Sequence, residues 1–201
     1  MAKIIQLVGT SATGKETVQK SLAERLRKEG LEVVELTERG PLRGLAKGYR
    51  LRVDKSPWVE AAIFTVDRLL IYESQVLKRT KEENLFFLFN RGLADNFVYQ
   101  GLQGGVPIEV IRKQNEAIPW PNLSICLTVE GNIGYERALS RSNATGERLS
   151  RNECAERIDQ LADLYRSLPD HVPELNLRFI DTSHISQEQT AEQAYKLIRD
   201  L

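Results

Sequence analysis

Short runs of consecutive apolar residues, separated by longer stretches of mixed apolar and polar residues, dominate the pattern of the chain. Runs of this kind are typical of parallel β-strands that are covered on both faces. The run at 85–89 is the clearest, because all of its residues are leucine or phenylalanine. The pattern predicts strands at 3–8, 31–36, 85–89, 123–129 and 177–180.

The stretches between these strands carry helical periodicity and helix-start signals. Val18, Leu22, Ala23 and Leu26 fall on one face of a helix that begins at Lys15. Later helix starts are marked by a serine followed by proline at 56–57 and by capping boxes at 150–153 and 186–189. Helices are predicted at 15–26, 56–80, 94–99, 107–119, 133–142, 150–168 and from 186 to the C-terminus, and 44–54 is predicted to be partly helical.

This alternation of strands and helices predicts an α/β fold, in which one five-stranded parallel sheet has helices on both faces. The sequence contains no internal repeat and no low-complexity linker. We therefore expect one domain over residues 1–201.

Composition limits the expected binding partners and cellular location of the protein. The 28 lysine and arginine residues balance 28 aspartate and glutamate residues, so nothing indicates a nucleic-acid-binding surface. Cys126 and Cys154 are far apart and lack metal-ligand spacing, so we expect reduced thiols. Met1 leads almost directly into the first strand, and no apolar run approaches transmembrane length. We expect no signal peptide, no membrane partner and a cytoplasmic location.

The segment between the first strand and the first helix has the layout of a phosphate-binding loop. Two glycines five residues apart, Gly9 and Gly14, let backbone N–H groups turn inward, and the helix N-terminus adds partial positive charge. Lys15 would then reach the outer phosphates of a nucleotide. The predicted nucleotide-binding residues are Gly9, Thr10, Ser11, Ala12, Thr13, Gly14, Lys15, Glu16 and Thr17.

Glu16 stands where such loops usually carry the hydroxyl that ligates Mg²⁺. At about 4 Å and an effective dielectric near 20, a carboxylate repels one phosphate charge by roughly 4 kcal/mol. That repulsion exceeds the contribution of about 1 kcal/mol or less from the helix dipole. We therefore expect Glu16 either to turn away from the phosphates or to ligate a divalent metal directly, for which a carboxylate is well suited.

Polar residues after the third strand form a second candidate site. Asn90 and Arg91 follow the buried run, and open α/β sheets bind ligands at the carboxyl ends of their strands. Asn96, Tyr99 and Gln100 share a face if the next segment is helical.

Phe64 and Arg68 share a face of the predicted helix 56–80, because they are four residues apart. Pattern alone favours core packing for Phe64 and an ion pair with Glu60 or Asp67 for Arg68. We predict that Phe64 and Arg68 face the same cleft as Arg91.

The segment 141–150 is polar, contains Asn143 and Gly146, and lacks an apolar face that would hold it in place. It is predicted to be a mobile lid that carries Arg141 and Arg148.

The order of these motifs resembles the thymidylate kinase family of P-loop nucleoside monophosphate kinases over nearly the whole chain. Beside the phosphate-binding loop, the segment 64–68 is similar to the family's Phe-x-x-Asp-Arg motif. The segment 90–101 is similar to its Asp-Arg motif that ends in Tyr-Gln-Gly. The segment 121–123 opens a strand, a helix and an arginine-bearing lid in the family's order.

The resemblance implies transfer of the ATP γ-phosphoryl group to a nucleoside monophosphate, with dTMP as the expected acceptor and dTDP as the product. It implies stacking of Phe64 on thymine, a nucleotide contact from Arg68, and monophosphate binding by Arg91. It also implies Mg²⁺, small-molecule nucleotides as partners, and a homodimer. The implied catalytic residues are Lys15, Arg91, Arg141 and Arg148, and the implied substrate-binding residues are Glu38, Phe64, Arg68, Arg91, Asn96, Tyr99 and Gln100.

Three residues in the expected reaction centre depart from the family's pattern. Glu16 replaces the metal-binding hydroxyl and is the candidate metal ligand, Asn90 replaces an aspartate, and Ser11 stands where an acidic residue usually contacts the sugar. Two alternatives therefore stay open. The chain could be a degenerate paralogue that binds nucleotides without transfer. It could instead be a deoxynucleoside kinase in which Glu38 activates a 5′-hydroxyl.

Overall fold

A computed structural model describes residues 1–38, 40–52 and 54–201, so position 53 of the segment predicted to be partly helical lies outside the described residues. All predicted strands are present, and they form one parallel five-stranded sheet in the order β2-β3-β1-β4-β5. The strands are β1 Lys3–Gly9, β2 Glu32–Thr37, β3 Leu85–Asn90, β4 Leu123–Thr128 and β5 Leu177–Asp181. The predicted α/β class is therefore confirmed.

Helices cover both faces of this sheet. The α-helices are α1 Lys15–Lys28, α2 Arg43–Arg50, α3 Pro57–Ile71, α4 Leu93–Asn96, α5 Ile108–Gln114, α6 Gly131–Thr145, α7 Ala155–His171 and α8 Gln187–Arg199. Short π or 3-10 turns lie at Tyr72–Val76, Leu77–Arg79, Phe97–Leu102 and Pro173–Leu175. None of the helices in the described part of the chain combines the length and apolar character needed to cross a bilayer.

The apolar core divides between the two faces because successive strand residues point to opposite sides. Leu7 of β1 is buried with Val18 and Leu22 of α1, as the helical periodicity predicts. Its neighbour Val8 is buried on the other side with Leu161 of α7. The central strand β1 is thus covered on both faces, and its carboxyl end opens between the ends of β3 and β4.

The helix predicted over 56–80 ends as an α-helix at Ile71 and continues through a π turn and a 3-10 turn. Ser74 explains the change of winding, because its Oγ donates to the carbonyls of Leu70 at 2.7 Å and Ile71 at 3.1 Å. Such side-chain bonds compete with the helical ladder and bend it.

Two predicted boundaries near the lid are wrong. The helix predicted to end at 142 runs to Thr145, where the left-handed Gly146 (φ +73°) stops it. The helix predicted to start at 150 starts at Ala155. Glu153 and Ser150 form a separate turn, in which the Glu153 carboxylate accepts the Ser150 N–H at 2.7 Å. The capping box at 186–189 is confirmed.

Candidate active site

The loop from β1 to α1 has the backbone that a phosphate-binding loop requires. Gly9 has φ +117°, and a Cβ there would lie 2.0 Å from the carbonyl oxygen of Leu127, so a side chain cannot fit. Gly14 (φ +78°) is the N-cap residue of α1. Ala12 also has a positive φ of 60°, which is unusual for a residue with a side chain. Such local strain is often stored at functional sites.

Lys15 is buried at the start of α1, and its ammonium group folds back on the loop. Its Nζ donates to the Gly9 carbonyl at 3.2 Å, to the Thr13 Oγ1 at 3.1 Å and to the Thr10 carbonyl. Burial, assisted by the positive charge of Arg91, lowers the pKa of Lys15 to about 8. The Lys15 ammonium thus lies at the carboxyl end of β1, and Arg91 directly follows the adjacent strand β3.

Glu16 and Thr17 occupy exposed positions in the first turn of α1. The Glu16 carboxylate lies 3.0 Å from Lys20 Nζ, four residues further along the helix, in an exposed ion pair. Among the described residues, no group of three or more His, Cys, Asp or Glu could hold a metal ion. Glu16 as a metal ligand stays a prediction.

Arg68 lies at the centre of a buried polar network, with a relative exposure of 3%. Its Nε and Nη2 donate to the two Glu38 carboxylate oxygens at 2.5 and 3.0 Å. Its Nη1 donates to Asn96 Oδ1 at 3.1 Å and to Asn115 Oδ1 at 2.8 Å. The Asn96 amide in turn donates to Gln100 Oε1 at 2.9 Å. The structure thus brings four of the predicted substrate-binding residues together.

The ion pairs that pattern alone favoured for Arg68 are wrong. Glu60 pairs with Arg50, and Asp67 accepts the backbone N–H groups of Gly40 at 3.1 Å and Leu42 at 2.7 Å. Asp67 therefore holds the loop after β2 against α3. This contact brings α3 to the carboxyl edge of the sheet, where Glu38 can reach Arg68.

Asn115 is a member of this network that the sequence analysis missed. Beside Arg68, it contacts Thr65 Oγ1 at 3.3 Å, Asn96 Oδ1 at 3.2 Å and the Ile111 carbonyl at 2.8 Å. It follows α5 as a C-cap residue, and no motif in the sequence marks it. Only its burial and its contacts with α3 and α4 identify it.

Phe64 is half-buried and lies beside α2, where the Arg50 guanidinium stacks over its ring at 4.7 Å. Full core packing, which pattern alone favoured, is therefore wrong. Stacking on a base stays a prediction, as does a cleft shared with Arg91.

Arg91 follows β3 in a left-handed conformation (φ +79°), and its N–H donates to the Leu7 carbonyl at 2.8 Å. Its side chain is 44% exposed and lies 3.5 Å from Asp95 Oδ1. Tyr99 is nearby, where burial and Asp95 raise the pKa of its phenol while Arg91 opposes them. Asp95 was not singled out in the sequence, where it reads as an ordinary helix-start carboxylate.

The predicted lid arginines occupy different environments. Arg141 lies inside α6 rather than in a loop, and its Nη2 donates to Glu153 Oε1 at 2.5 Å. Arg148 is exposed, and so is Arg151, which lies just beyond the predicted lid. Neither has a hydrogen bond or ion pair with another described residue. The segment between α6 and α7 therefore presents cations beside a fixed Arg141–Glu153 clip.

Comparison of the sequence with known proteins identifies the family. Residues 9–193 match the family model described as thymidylate kinase. The chain is 30% identical to a probable thymidylate kinase of Pyrobaculum calidifontis over 80% of this chain and 79% of the relative. It is 31% identical to a thymidylate kinase of Caldanaerobacter subterraneus over 69% of this chain and 68% of the relative. A third similar protein, a probable thymidylate kinase of Caldivirga maquilingensis, is 26% identical over 92% of this chain and 88% of the relative. The chain belongs to the thymidylate kinase family.

Proposed function

We propose that this protein transfers the γ-phosphoryl group of ATP to dTMP and releases dTDP and ADP. The observation that carries the proposal is that Lys15 and Arg91 both lie at the carboxyl edge of adjacent strands: the Lys15 Nζ donates to the Gly9 carbonyl at the end of β1, and Arg91 directly follows β3. Two nucleotide phosphates that meet there need cations on both sides, and phosphoryl transfer depends almost entirely on such positioning and charge stabilisation.

In this proposal the predicted site residues divide into groups that bind ATP, bind the acceptor or exclude water. The loop from Gly9 to Thr17 binds the ATP phosphates, and Lys15 exchanges its loop acceptors for phosphate oxygens. Arg91 binds the acceptor monophosphate. The buried network around Arg68 forms the wall of the base site, with Phe64 as the stacking surface. Tyr99 contacts the acceptor, and Arg141 and Arg148 belong to a lid that excludes water.

Mg²⁺ in nucleotide sites is held largely by phosphate oxygens and water and needs few protein ligands. Glu16 and Thr17 offer hard oxygen donors in the first turn of α1, and both are exposed enough to reorient. This donor set fits Mg²⁺, provided that the Glu16 carboxylate breaks its ion pair with Lys20. When bound, Mg²⁺ would neutralise charge on the ATP phosphates.

The test is ADP release with each common nucleoside monophosphate at saturating ATP and Mg²⁺, with the product identified by chromatography. We expect dTMP to be the best acceptor and Lys15→Met to abolish turnover. Lys28→Met, which removes an exposed lysine from the other end of α1, is the matched control. Absence of turnover with every monophosphate would refute the proposal.

The degenerate-paralogue alternative is favoured by the Glu16–Lys20 ion pair and by the neutral Asn90. It predicts calorimetric binding of ATP and dTMP without turnover, so the same assay decides it. The deoxynucleoside kinase alternative is disfavoured, because both Glu38 oxygens are bound to Arg68 and are not free to take a proton. Phosphorylation of thymidine would reverse that judgement.

A homodimer is part of the proposal, supported by an apolar stripe on α3. Val59, Val66 and Leu70 are 40–46% exposed and fall on one face with Ala62 and Ile63. The stripe borders a depression of about 410 Å³ lined by Leu42, Leu45, Trp58, Val59, Ala62, Ile63 and Val66. A second copy would cover this surface isologously. Light scattering should give a dimer for the unchanged chain and a monomer for Val66→Glu.

A cytoplasmic location, where ATP and nucleotides are present, completes the proposal. Both cysteines are free thiols, as a reducing compartment requires.

A further inference from the structure

Two elements converge on the Asp95 carboxylate beside Arg91. Asp95 Oδ1 accepts a hydrogen bond from Tyr165 Oη at 2.5 Å and faces Arg91 Nη1 at 3.5 Å. Its Oδ2 accepts the Gly92 N–H at 2.8 Å. Asp95 on α4 and Tyr165 on α7 are both buried, so water does not compete for the Tyr165–Asp95 bond.

The Arg91 guanidinium needs a neighbouring side chain to fix its orientation. Its backbone is fixed in the left-handed region, but its side chain is 44% exposed and has many rotamers. Among the described residues, Asp95 is the carboxylate within ion-pair distance of this guanidinium. Asn90, next to Arg91, is a neutral amide and cannot supply the charge.

We propose that Asp95 and Tyr165 are positioning residues for Arg91 in phosphoryl transfer, an inference that rests on the proposed function. Tyr165 fixes the Asp95 carboxylate, and the carboxylate fixes the direction in which Arg91 presents its charge to the acceptor phosphate. Small errors in such an orientation lower the rate strongly while the charge itself remains.

Kinetics of Asp95→Asn, Tyr165→Phe and the double variant test the inference. We expect Asp95→Asn to lower kcat about tenfold or more, while the KM for dTMP changes less than about threefold. Tyr165→Phe should lower kcat about threefold to tenfold. The double variant should be no worse than Asp95→Asn, because Tyr165 acts through Asp95.

Matched controls separate this role from a structural one, since Asp95 also binds a backbone N–H at the start of α4. Asp159→Asn changes another aspartate that accepts a backbone N–H at a helix start, that of Gly131. Tyr195→Phe changes a half-buried tyrosine that donates to Glu29. Both controls should keep kcat within about twofold of the unchanged chain. A kcat loss in Asp95→Asn that is matched in Asp159→Asn, or losses that simply add in the double variant, would overturn the inference.

The Arg91 Nη1–H signal in ¹⁵N NMR spectra, assigned with Arg91→Lys, gives a readout that does not need turnover. It should be displaced from the position of free arginine in the unchanged chain and return toward it in Asp95→Asn. Identical signals would overturn the inference. An unchanged chain that does not phosphorylate dTMP refutes the proposed function, and the NMR signal still decides the orientation of Arg91. If Asp95→Asn does not fold, Tyr165→Phe supplies both readouts.

Discussion

Glu38 holds Arg68 with both carboxylate oxygens, 2.5 Å from Nε and 3.0 Å from Nη2. Asn96 and Asn115 occupy both Nη1 hydrogens, so four of the five guanidinium N–H donors are already committed. Arg68 can therefore offer one N–H to a base, in a direction that Glu38 and the two amides determine. This favours a role in which Arg68 lines the acceptor site in a fixed orientation over a role in which a free guanidinium binds phosphate.

The first prediction concerns this ion pair. Arg68→Ala should weaken dTMP binding by about 1.5–3 kcal/mol, the usual cost of losing a hydrogen bond to a charged group. It should also lower the free energy of unfolding by about 3–5 kcal/mol, because the Glu38 carboxylate, whose side chain is only 11% exposed, is left unpaired. The double variant Arg68→Met with Glu38→Gln should recover much of the stability without the affinity. Calorimetry and thermal melts measure the two quantities, and unchanged dTMP affinity in a folded Arg68→Ala protein would exclude the role.

The second prediction concerns Lys15 in the nucleotide-free protein. Its pKa of about 8 lies below the ordinary 10.5, so the unfolded chain binds more protons between these pH values. The free energy of unfolding should therefore rise as pH increases from about 8 to 10.5. Below pH 8 the buried charge costs roughly 3 kcal/mol, at about 1.4 kcal/mol per pH unit. Lys15→Met should accordingly melt higher than the unchanged chain at pH 7, with the difference shrinking toward pH 10.5. A melting difference that is the same at every pH, as expected for Lys28→Met, would contradict the shift.

The third prediction follows from the same group when ATP binds. Phosphate charges favour the protonated ammonium, so binding should raise the pKa of Lys15. The protein should then take up a proton on binding ATP near pH 8.5, and less than that at pH 6.5. Calorimetry in two buffers of different ionisation enthalpy measures this uptake, with Lys15→Met as the reference that lacks it. Equal proton uptake in both proteins would assign the proton to another group.

The fourth prediction concerns the lid. Burial opposes ionisation of Glu153, but hydrogen bonds from Arg141 and Ser150 lower the pKa of its carboxyl group overall. Glu153→Gln should loosen this clip and speed amide exchange over residues 146–154, whereas the exposed Glu147→Gln should not. In the unchanged chain, protection of the segment should rise when ATP and dTMP are both bound. Equal protection with and without nucleotides would identify a static loop.

The elements of this fold were predictable because each carries a local pattern. The apolar runs located every strand, and glycine spacing with Lys15 located the phosphate-binding loop. The pairing of residues within the site was harder to predict, because it is determined by contacts between segments that are distant in the sequence. Arg68 and Glu38 are thirty positions apart, and Tyr165 and Asp95 are seventy apart. Glu153 could be read locally as a cap, but Arg141, twelve residues before it, determines its role.

The last prediction concerns charge compensation between Glu16 and Asn90. Glu16 is exposed and paired with Lys20, a contact worth only about 0.3–0.5 kcal/mol, so it can leave that lysine when a metal is present. A carboxylate at Glu16 then makes up for the charge that Asn90 lacks. Glu16→Ser alone should weaken the Mg²⁺-dependent part of ATP affinity, because Asn90 stays neutral.

The double variant Glu16→Ser with Asn90→Asp should bind Mg²⁺–ATP more tightly than either single variant. The control is Lys20→Met, which frees Glu16 without changing either candidate ligand and should leave the Mg²⁺ effect intact or slightly larger. ATP affinity with and without Mg²⁺ for the unchanged chain, both single variants and the double variant gives a complete cycle. Glu16 and Asn90 act on one ion only if the cycle shows a coupling energy that appears with Mg²⁺ and vanishes without it. Simple additivity in the presence of Mg²⁺ would mean that Glu16 stays with Lys20 and that the metal is held by phosphate oxygens and water alone.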